Sequence, residues 1–241
     1  MSMREGLTVH PVSGGLGAMI EGVDLGRDLE NNRVVSGIHQ ALLEHCVVFL
    51  RDQHMTVEQH IALEQPAMGS ILYAKEVPER GGDTLFANQY RAYETLSPGM
   101  RRMLEGLRAV HTARHIYGLA GRTTDTYNKG QNAMAILPSA QAHGEVDHPV
   151  VRTHPETGRK CLYVNPAFTV RFKDMAEEES VPLLRFLYDH CRREEFTCRF
   201  QWKANSVAFW DNRCVQHFAL NDYNGQRRIM HRVTVNGSRP V

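Results

Sequence analysis

One histidine near the end of the chain is followed at fixed distances by two arginines. Arg228 comes eleven positions after His217, and Arg232 comes fifteen positions after it. If this stretch is a strand, the two arginines share one face about 13 Å apart, at roughly 3.3 Å per residue. Each guanidinium donates two parallel hydrogen bonds and keeps its charge, so this spacing suits two anions in one elongated pocket. Two surface arginines on an edge strand are the alternative.

His217 itself is a candidate metal ligand. The 2-His-1-carboxylate triad of non-haem iron enzymes leaves coordination positions open for cosubstrate and oxygen. Its usual sequence form is an early H-x-D or H-x-E followed by a lone late histidine. Because the chain has 13 histidines and most histidines are structural, His217 alone leaves the metal role open.

Composition excludes several classes of protein. The 241 residues fit one domain, and 28 basic against 27 acidic residues provide no electrostatic footprint for nucleic acid or a membrane. The five cysteines are scattered and form no C-x-x-C pair, which argues against disulfides or a zinc knuckle and favours a reducing compartment. With no signal peptide or membrane span in the sequence, we expect a soluble, cytoplasmic protein.

The hydrophobic pattern predicts many short strands with a few helices. We expect helices at 34–45, at 56–63 and over 96–111 with Ser97 as its N-cap, and another over 175–193 with Pro182 close to its start. Residues 116–145 are polar and aperiodic, which predicts a long mobile loop. Residues 148–165 read as a hairpin, and everything after Phe196 reads as strands. Without regular βαβ alternation, the pattern predicts a mainly β jelly-roll or barrel core with flanking helices.

Six segments together resemble the taurine dioxygenase family, whose members are Fe(II)- and 2-oxoglutarate-dependent oxygenases. The resemblance covers nearly the whole chain, and the motifs are specific as a set rather than singly. They are LGAMIEGVDL (16–25), VVFLRDQ (47–53), GGDTLFA (81–87), HPVVRTHPETGRKCLYVN (148–165), WDNRCVQHFALNDY (210–223) and RRIMHR (227–232).

The resemblance implies a fold and a role for five residues. The fold is a double-stranded β-helix, or jelly roll, in a single domain over 1–241. His217 matches the distal iron ligand, while Arg228 and Thr84 match the residues that hold the distal carboxylate of 2-oxoglutarate. Arg232 resembles the residue that meets the sulfonate of taurine, and Phe168 resembles an aromatic residue that lines the substrate pocket.

The reaction implied by the resemblance couples decarboxylation of 2-oxoglutarate, giving succinate and carbon dioxide, to hydroxylation of a small organic anion. For taurine or a related sulfonate, sulfite would be released. An aryloxyalkanoate or an alkyl sulfate is the alternative substrate within the family. The implied partners are the anionic substrate, O2 and further copies of the chain, as a dimer or tetramer.

The early H-x-D motif of the family is missing from the expected place. It should lie between the helix at 56–63 and Pro66, but the chain runs EQHIALEQPAMGS there and is roughly 40 residues shorter than the resemblance leads us to expect. The matches at 143–145 (HGE) and 154–156 (HPE) are poor substitutes, since the first lies in the predicted loop and the second in a turn. His111 and His115, four residues apart, are weak candidates.

Two explanations stay open. Either the natural polypeptide carries a segment near Leu63 and Glu64 that this sequence omits, or the deletion is genuine and the protein is a non-catalytic, anion-binding relative. We favour omission, because a genuine loss would remove strand from the core and leave unpaired backbone edges.

Overall fold

A computed structural model describes residues 2–4, 7–54, 69–118 and 140–234. Fifteen strands lie within these ranges. They are β1 (Ser2–Arg4), β2 (Leu7–Pro11), β3 (Ala18–Glu21), β4 (Val47–Leu50), β5 (Gly69–Glu76), β6 (Thr84–Asn88), β7 (Arg108–Thr112), β8 (Glu145–Pro149), β9 (Val151–Thr153), β10 (Lys160–Leu162), β11 (Thr169–Phe172), β12 (Thr197–Phe200), β13 (Val207–Asp211), β14 (Val215–Ala219) and β15 (Ile229–Thr234).

The helices are fewer and mostly short. They are α1 (Leu25–Asp28), α2 (Asn32–His45), α3 (Gln89–Glu94), α4 (Pro98–Glu105), α5 (Arg114–Tyr117) and α6 (Glu177–Cys191), with 3-10 turns at Ala140–His143 and Glu194–Phe196. The chain divides into two compact units. The first is Met1–Asn88 with Glu194–Arg239, and the second is Gln89–Arg193 with Pro240–Val241.

The first unit contains two sheets. A seven-stranded sheet has the order β1-β2-β3-β4-β13-β5-β15, and a three-stranded sheet has the order β12-β6-β14. Strands far apart in sequence therefore become neighbours: β13 lies between β4 and β5, and β15 closes the edge beside β5. This non-local pairing is what brings the end of the chain next to residues near position 70.

Helix α2 covers the large sheet of the first unit. Asn31 caps it by accepting from the backbone N–H of Arg33, and its apolar stripe of Ile38, Ala41 and Leu42 is buried. These side chains join a core cluster with apolar residues of β2, β3, β4, β5 and β13. Burial of such a stripe, rather than helix propensity, is the main stabilising term for a helix of this length.

An aromatic cluster connects the two sheets of the first unit. Phe49 of β4 stacks on Phe200 of β12 with ring centroids 4.1 Å apart and contacts Phe86 of β6 at 5.7 Å. Phe86 in turn contacts Trp210 of β13 at 5.5 Å. Offset and tilted ring pairs of this kind add to the burial of their large apolar surfaces. The cluster therefore fixes β6 and its neighbours against the large sheet.

The second unit contains two small sheets and helix α6. β9 and β10 form the predicted hairpin, and β7 lies between β11 and β8. α6 contributes its buried residues Leu184 and Leu187. The Ser180 hydroxyl donates to the carbonyl of Ala176 and accepts from the backbone N–H of Phe172, which joins the helix to β11.

Several sequence predictions were confirmed and others need correction. Ser97 caps α4 with Pro98 at its start, as predicted, but the helix ends at Glu105 and residues 108–112 form β7. Pro182 lies inside α6 at its sixth residue rather than at its start. The predicted loop over 116–145 includes the end of α5, a 3-10 turn and the first residue of β8. The predicted helix at 56–63 and loop residues 119–139 lie outside the described residues.

Two further findings concern the class of protein. None of the five cysteines, all of which the structure describes, forms a disulfide, and all five are buried. Among the described residues, no helix has the length and apolar character needed to cross a membrane.

Candidate functional site

His217 lies in the middle of β14, an edge strand of the three-stranded sheet, directly opposite Phe86. Although the residue as a whole is exposed, its ring lies 4.7 Å from the ring of Trp210 and 6.5 Å from that of Phe86. The neighbouring aromatic rings desolvate the imidazole, and this burial of the ring, followed by the positive charge of Arg232, lowers the pKa of His217 to about 4. The imidazole is therefore neutral at pH 7, which is the form that binds a metal ion.

Arg232 lies in β15 of the same unit and is exposed. Its Nη2 donates to the Ser70 hydroxyl at 3.1 Å, and its guanidinium carbon lies 5.5 Å from the centre of the Trp210 ring. Trp210 thus contacts both the cation and the ring of His217. The predicted anion-binding residue and the predicted iron ligand are brought together around one indole.

Arg228 immediately precedes β15, and it is partly buried. Its Nε and Nη2 atoms are buried and have no hydrogen-bond partner among the residues that the structure describes. Burial lowers the pKa of Arg228, while Tyr223 and Asp83 raise it. Two orphaned donors on a buried cation are costly unless a ligand satisfies them. A carboxylate such as that of 2-oxoglutarate fits this requirement.

The glycine pair of the GGDT motif packs against Asp222 and Arg228. Gly81 and Gly82 have φ values of +79° and +71°, a region that favours glycine. A Cβ on Gly82 would lie 3.2 Å from Cδ and 3.3 Å from Nε of Arg228, and one on Gly81 would clash with the backbone of Asp222. Gly82 N–H also donates to the Asp222 carboxylate at 2.7 Å. The motif therefore shapes a turn that leaves room for the arginine.

Thr84 begins β6 directly after this turn and is fully buried. Its Oγ1 accepts from Trp202 Nε1 at 3.0 Å, so its own hydroxyl proton can be donated to another acceptor. Strand pairing puts Thr84 opposite Ala219, two residues after His217. The predicted carboxylate-binding hydroxyl thus lies near the end of the strand that carries the predicted iron ligand.

The spacing argument for the two arginines needs one correction. Arg228 lies outside β15, and the register with β5 shifts between Ile229 and Met230. The alternation of side chains along a regular strand therefore cannot be used to place Arg228 and Arg232 on the same face. Alternation of exposure is seen only over residues 231–234, where Arg232 and Thr234 are exposed while His231 and Val233 are partly buried.

Phe168 belongs to the second unit. It follows a turn in which the Asn165 side chain accepts from the backbone N–H groups of Ala167 and Phe168. The exposed fraction of Phe168 is 36%, and its ring lines a cavity of about 300 Å³ with His111, His148, Tyr163 and Asn165 among others. The role of Phe168 in lining the substrate pocket stays a prediction.

The substitute iron ligands are engaged in other interactions within the second unit. Glu145 forms ion pairs with Arg114 and Arg171, and Nδ1 of His154 accepts from the backbone of its own turn. His111 lies in a strand and His115 in a short helix, so they do not share a helix face. In the ranges that the structure describes, His217 belongs to no group of three residues able to hold a metal ion.

Comparison with known proteins identifies the class. The model of the family described as "Taurine catabolism dioxygenase TauD, TfdA family" matches residues 62–234. Together with the fold and the residues above, this match defines a 2-oxoglutarate-dependent dioxygenase with a jelly-roll fold, for which Fe(II) is the metal and 2-oxoglutarate the cosubstrate. The chain belongs to the TauD, TfdA family.

Individual relatives differ in their substrates. The chain is 33% identical to an alpha-ketoglutarate-dependent sulfate ester dioxygenase of Pseudomonas putida, over 98% of this chain and 91% of the relative. It is 31% identical to an alkylsulfatase of Acinetobacter baylyi, over 96% and 85%. The crystal structure of a taurine dioxygenase from Burkholderia xenovorans superposes with a TM-score of 0.81 at 33% identity, covering 98% of this chain and 93% of that one.

The described residues provide part of a binding site for iron and 2-oxoglutarate. Neutral His217 and the orphaned donors of Arg228 suit iron and 2-oxoglutarate, but among the described residues His217 belongs to no group of three side chains that could complete the iron site. The alignment with the Pseudomonas enzyme spans 279 positions, whereas 98% of 241 residues is about 236. About 43 aligned positions of that relative therefore have no counterpart in this chain.

Sequence reasoning missed two residues of the site. Ser70 and Trp210 contact Arg232 from β5 and β13. Trp210 stands at the start of a motif that carried the resemblance, which is the signal that pointed towards it. No local signal marks Ser70.

Proposed function

We propose that this dioxygenase hydroxylates a small organic sulfonate or sulfate ester that Arg232 binds by its anionic head. One observation carries the proposal: the Trp210 ring lies 4.7 Å from the His217 ring and 5.5 Å from the Arg232 guanidinium carbon. A fixed cation beside the proposed iron ligand would hold the carbon next to the anionic group close to the metal. Orientation of this kind is a large part of what an enzyme contributes to catalysis.

Each of the other residues has a proposed role. Arg228 and Thr84 bind the distal carboxylate of 2-oxoglutarate, His217 binds iron, and Phe168 lines the substrate pocket. The bound iron and 2-oxoglutarate supply the oxidising chemistry. The support for Arg228 is its pair of buried donors, for which the described part of the chain offers no partner, and the support for Thr84 is a buried hydroxyl that can still donate.

The substrate determines which sulfur oxyanion is released after hydroxylation. A sulfonate, O2 and 2-oxoglutarate would yield an aldehyde, hydrogen sulfite, succinate and carbon dioxide, because the new hydroxyl collapses to a carbonyl as the C–S bond breaks. A sulfate ester would release hydrogen sulfate through cleavage of the C–O bond in the same way. Taurine or a related sulfonate is the substrate predicted from the sequence, whereas two relatives that align over nearly the whole chain act on sulfate esters or are alkylsulfatases by name.

An aryloxyalkanoate is the second candidate. An alpha-ketoglutarate-dependent 2,4-dichlorophenoxyacetate dioxygenase of Cupriavidus pinatubonensis is 36% identical over 72% of this chain, although the match covers 57% of that relative. A carboxylate would suit the Arg232 fork as well as a sulfonate does. In that case hydroxylation next to the ether oxygen would release a phenol and glyoxylate.

The test is a product assay with protein, Fe(II), ascorbate, 2-oxoglutarate and one of three anions. Taurine, hexyl sulfate and 2,4-dichlorophenoxyacetate would give sulfite, sulfate and a phenol, respectively. We expect succinate with sulfite or sulfate, and loss of that product in Arg232→Gln. Phenol as the main product would favour the aryloxyalkanoate reading. No succinate with any anion would favour a non-catalytic relative.

The intact mass of the purified natural protein separates the two explanations for the missing H-x-D motif. A mass several kilodaltons above 27.4 kDa would mean that the natural chain carries the additional segment. A mass of 27.4 kDa would mean that the deletion is genuine, and the anion-binding reading would then lead.

A cytoplasmic location and assembly into dimers or tetramers complete the proposal. The absence of disulfides among five buried cysteines supports a reducing compartment. Sedimentation of the purified protein would test the oligomeric state.

A further inference from the structure

The hydroxyl of Ser70 links Arg232 to a second polar side chain in the first unit. Ser70 is fully buried at the second residue of β5. Its Oγ accepts from Arg232 Nη2 at 3.1 Å and from Asn212 Nδ2 at 2.8 Å. The strand register explains this position, because Ser70 pairs with Trp210 of β13 on one side and with Thr234 of β15 on the other.

The same chain of hydrogen bonds continues to Trp210. The Asn212 side chain accepts from Trp210 Nε1 at 2.8 Å through Oδ1 while it donates to Ser70. Trp210 is buried, and its ring is the one that contacts both His217 and Arg232. Three hydrogen bonds therefore join the arginine, through Ser70 and Asn212, to the indole that it lies against.

An arginine held in this way differs from an ordinary surface arginine. A side chain of this length has many rotamers, and ordering it on ligand binding is costly in entropy. Because Ser70 lies in a strand that is paired on both sides and is fully buried, it is a rigid anchor for one edge of the guanidinium. The arginine is thus preorganised before any anion arrives.

We propose that Ser70 is a positioning residue that fixes the distance between the Arg232 guanidinium and the metal site. This inference rests on the proposed function. Ser70 would act through Arg232 and would not touch the substrate. By setting that distance, it determines which carbon of the anionic substrate faces the metal, so it controls both affinity for the anion and the coupling of 2-oxoglutarate consumption to product.

The first test compares Ser70→Ala with Ser206→Ala. Ser206 is a matched control, since it is also fully buried in the first unit and its Oγ accepts from Arg51 Nη1 at 2.7 Å. In Ser70→Ala we expect the KM for the anionic substrate to rise about tenfold, the loss typical of one such hydrogen bond. We also expect the ratio of succinate to hydroxylated product to rise at least twofold with ascorbate present, while the KM for 2-oxoglutarate stays unchanged. Ser70→Thr should restore both values, and Ser206→Ala should change neither.

A binding measurement gives a readout that does not depend on turnover. Wild type and Ser70→Ala would be loaded with Mn(II) and N-oxalylglycine and titrated calorimetrically with the anion that the wild type oxidises. We expect about tenfold weaker binding of the anion in the variant. In an Arg232→Lys background, Ser70→Ala should have little further effect, because the two residues act as a unit.

The outcomes separate this inference from the proposed function. If the wild type oxidises no anion, the proposed function fails, and the inference fails with it. If the wild type is active and Ser70→Ala keeps its substrate KM and coupling ratio, the positioning role is wrong while the function stands. If Ser70→Ala does not fold, Asn212→Leu can replace it, because it removes the other hydrogen bond to the Ser70 hydroxyl. We expect Asn212→Leu to shift the substrate KM and the coupling ratio in the same direction. Unchanged values in that variant would overturn the proposal.

Discussion

Replacement of Arg228 by methionine should weaken the binding of 2-oxoglutarate without lowering the stability of the ligand-free protein. The arginine holds two buried donors, Nε and Nη2, that have no partner within the described ranges of the chain. Methionine has a similar length and removes both donors together with the charge. Because replacing a poorly compensated buried charge by an apolar residue is often neutral or stabilising, we expect Arg228→Met to be at least as stable as the wild type without ligand.

The expected loss of 2-oxoglutarate binding follows from the same two donors. Each hydrogen bond from a charged group to a carboxylate contributes about 1.5–3 kcal/mol. Two of them amount to about 3–6 kcal/mol, which corresponds to roughly a hundredfold to ten-thousandfold weaker binding. Lysine keeps the charge without the planar fork, so Arg228→Lys should fall between the wild type and Arg228→Met.

The assay is thermal unfolding against 2-oxoglutarate concentration in the presence of Mn(II). The wild type should gain stability as ligand increases, whereas Arg228→Met should show an equal or higher midpoint without ligand and almost no gain. Arg227→Met is the matched control, since Arg227 is the preceding residue and its side chain is 73% exposed in an ion pair with Glu76. An Arg228→Met protein that loses several degrees without ligand, yet keeps its response to 2-oxoglutarate, would refute the reasoning.

Three further changes test other parts of the chain. Gly82→Ala should cost about 1–2 kcal/mol of stability because Gly82 has a positive φ, and it should also weaken 2-oxoglutarate binding. Gly158 has a φ of +68° and open space around it, so Gly158→Ala should lower stability without affecting 2-oxoglutarate binding. Burial, and then the charge of His148, lowers the pKa of His111 to about 4. Because the unfolded state therefore takes up the proton at a higher pH than the folded state, the free energy of unfolding measured in urea should fall by about 3 kcal/mol between pH 6.5 and pH 4. His111→Gln should flatten that slope, and an unchanged slope would contradict the assignment. Ser97→Ala should destabilise the protein by about 1 kcal/mol, because it removes the cap that accepts from Met100 N–H, and a change below 0.3 kcal/mol would contradict it.

Local signals in the sequence predicted local structure well. Ser97 followed by Pro98 marked the start of α4, and the alternation after Phe196 predicted the last four strands. The end of α4 was missed because residues 108–112 extend a plausible helical stripe, and only pairing with β8 and β11 makes them a strand. Tertiary pairing overrode local propensity there.

In the site, too, residues within short motifs could be predicted from the sequence, whereas a contact between distant residues could not. Gly82, Thr84 and Arg228 belong to motifs that the resemblance could use, and the positive φ at Gly82 gives one of them a physical reason. The contact between Ser70 and Arg232 joins residues 162 positions apart. It exists because β5 and β15 are neighbours in the large sheet, and no pattern within a short window contains that information.

The aromatic packing of the first unit gives the protein its own optical reporters. The chain has two tryptophans. Trp202 donates to Thr84, and the ring of Trp210 contacts both His217 and Arg232. Intrinsic fluorescence should therefore respond to the proposed cosubstrate site through Trp202 and to the proposed metal and anion sites through Trp210. Ligand occupancy in unlabelled protein would then change the combined tryptophan emission, and in Trp202→Phe the remaining emission would report the metal and anion sites only.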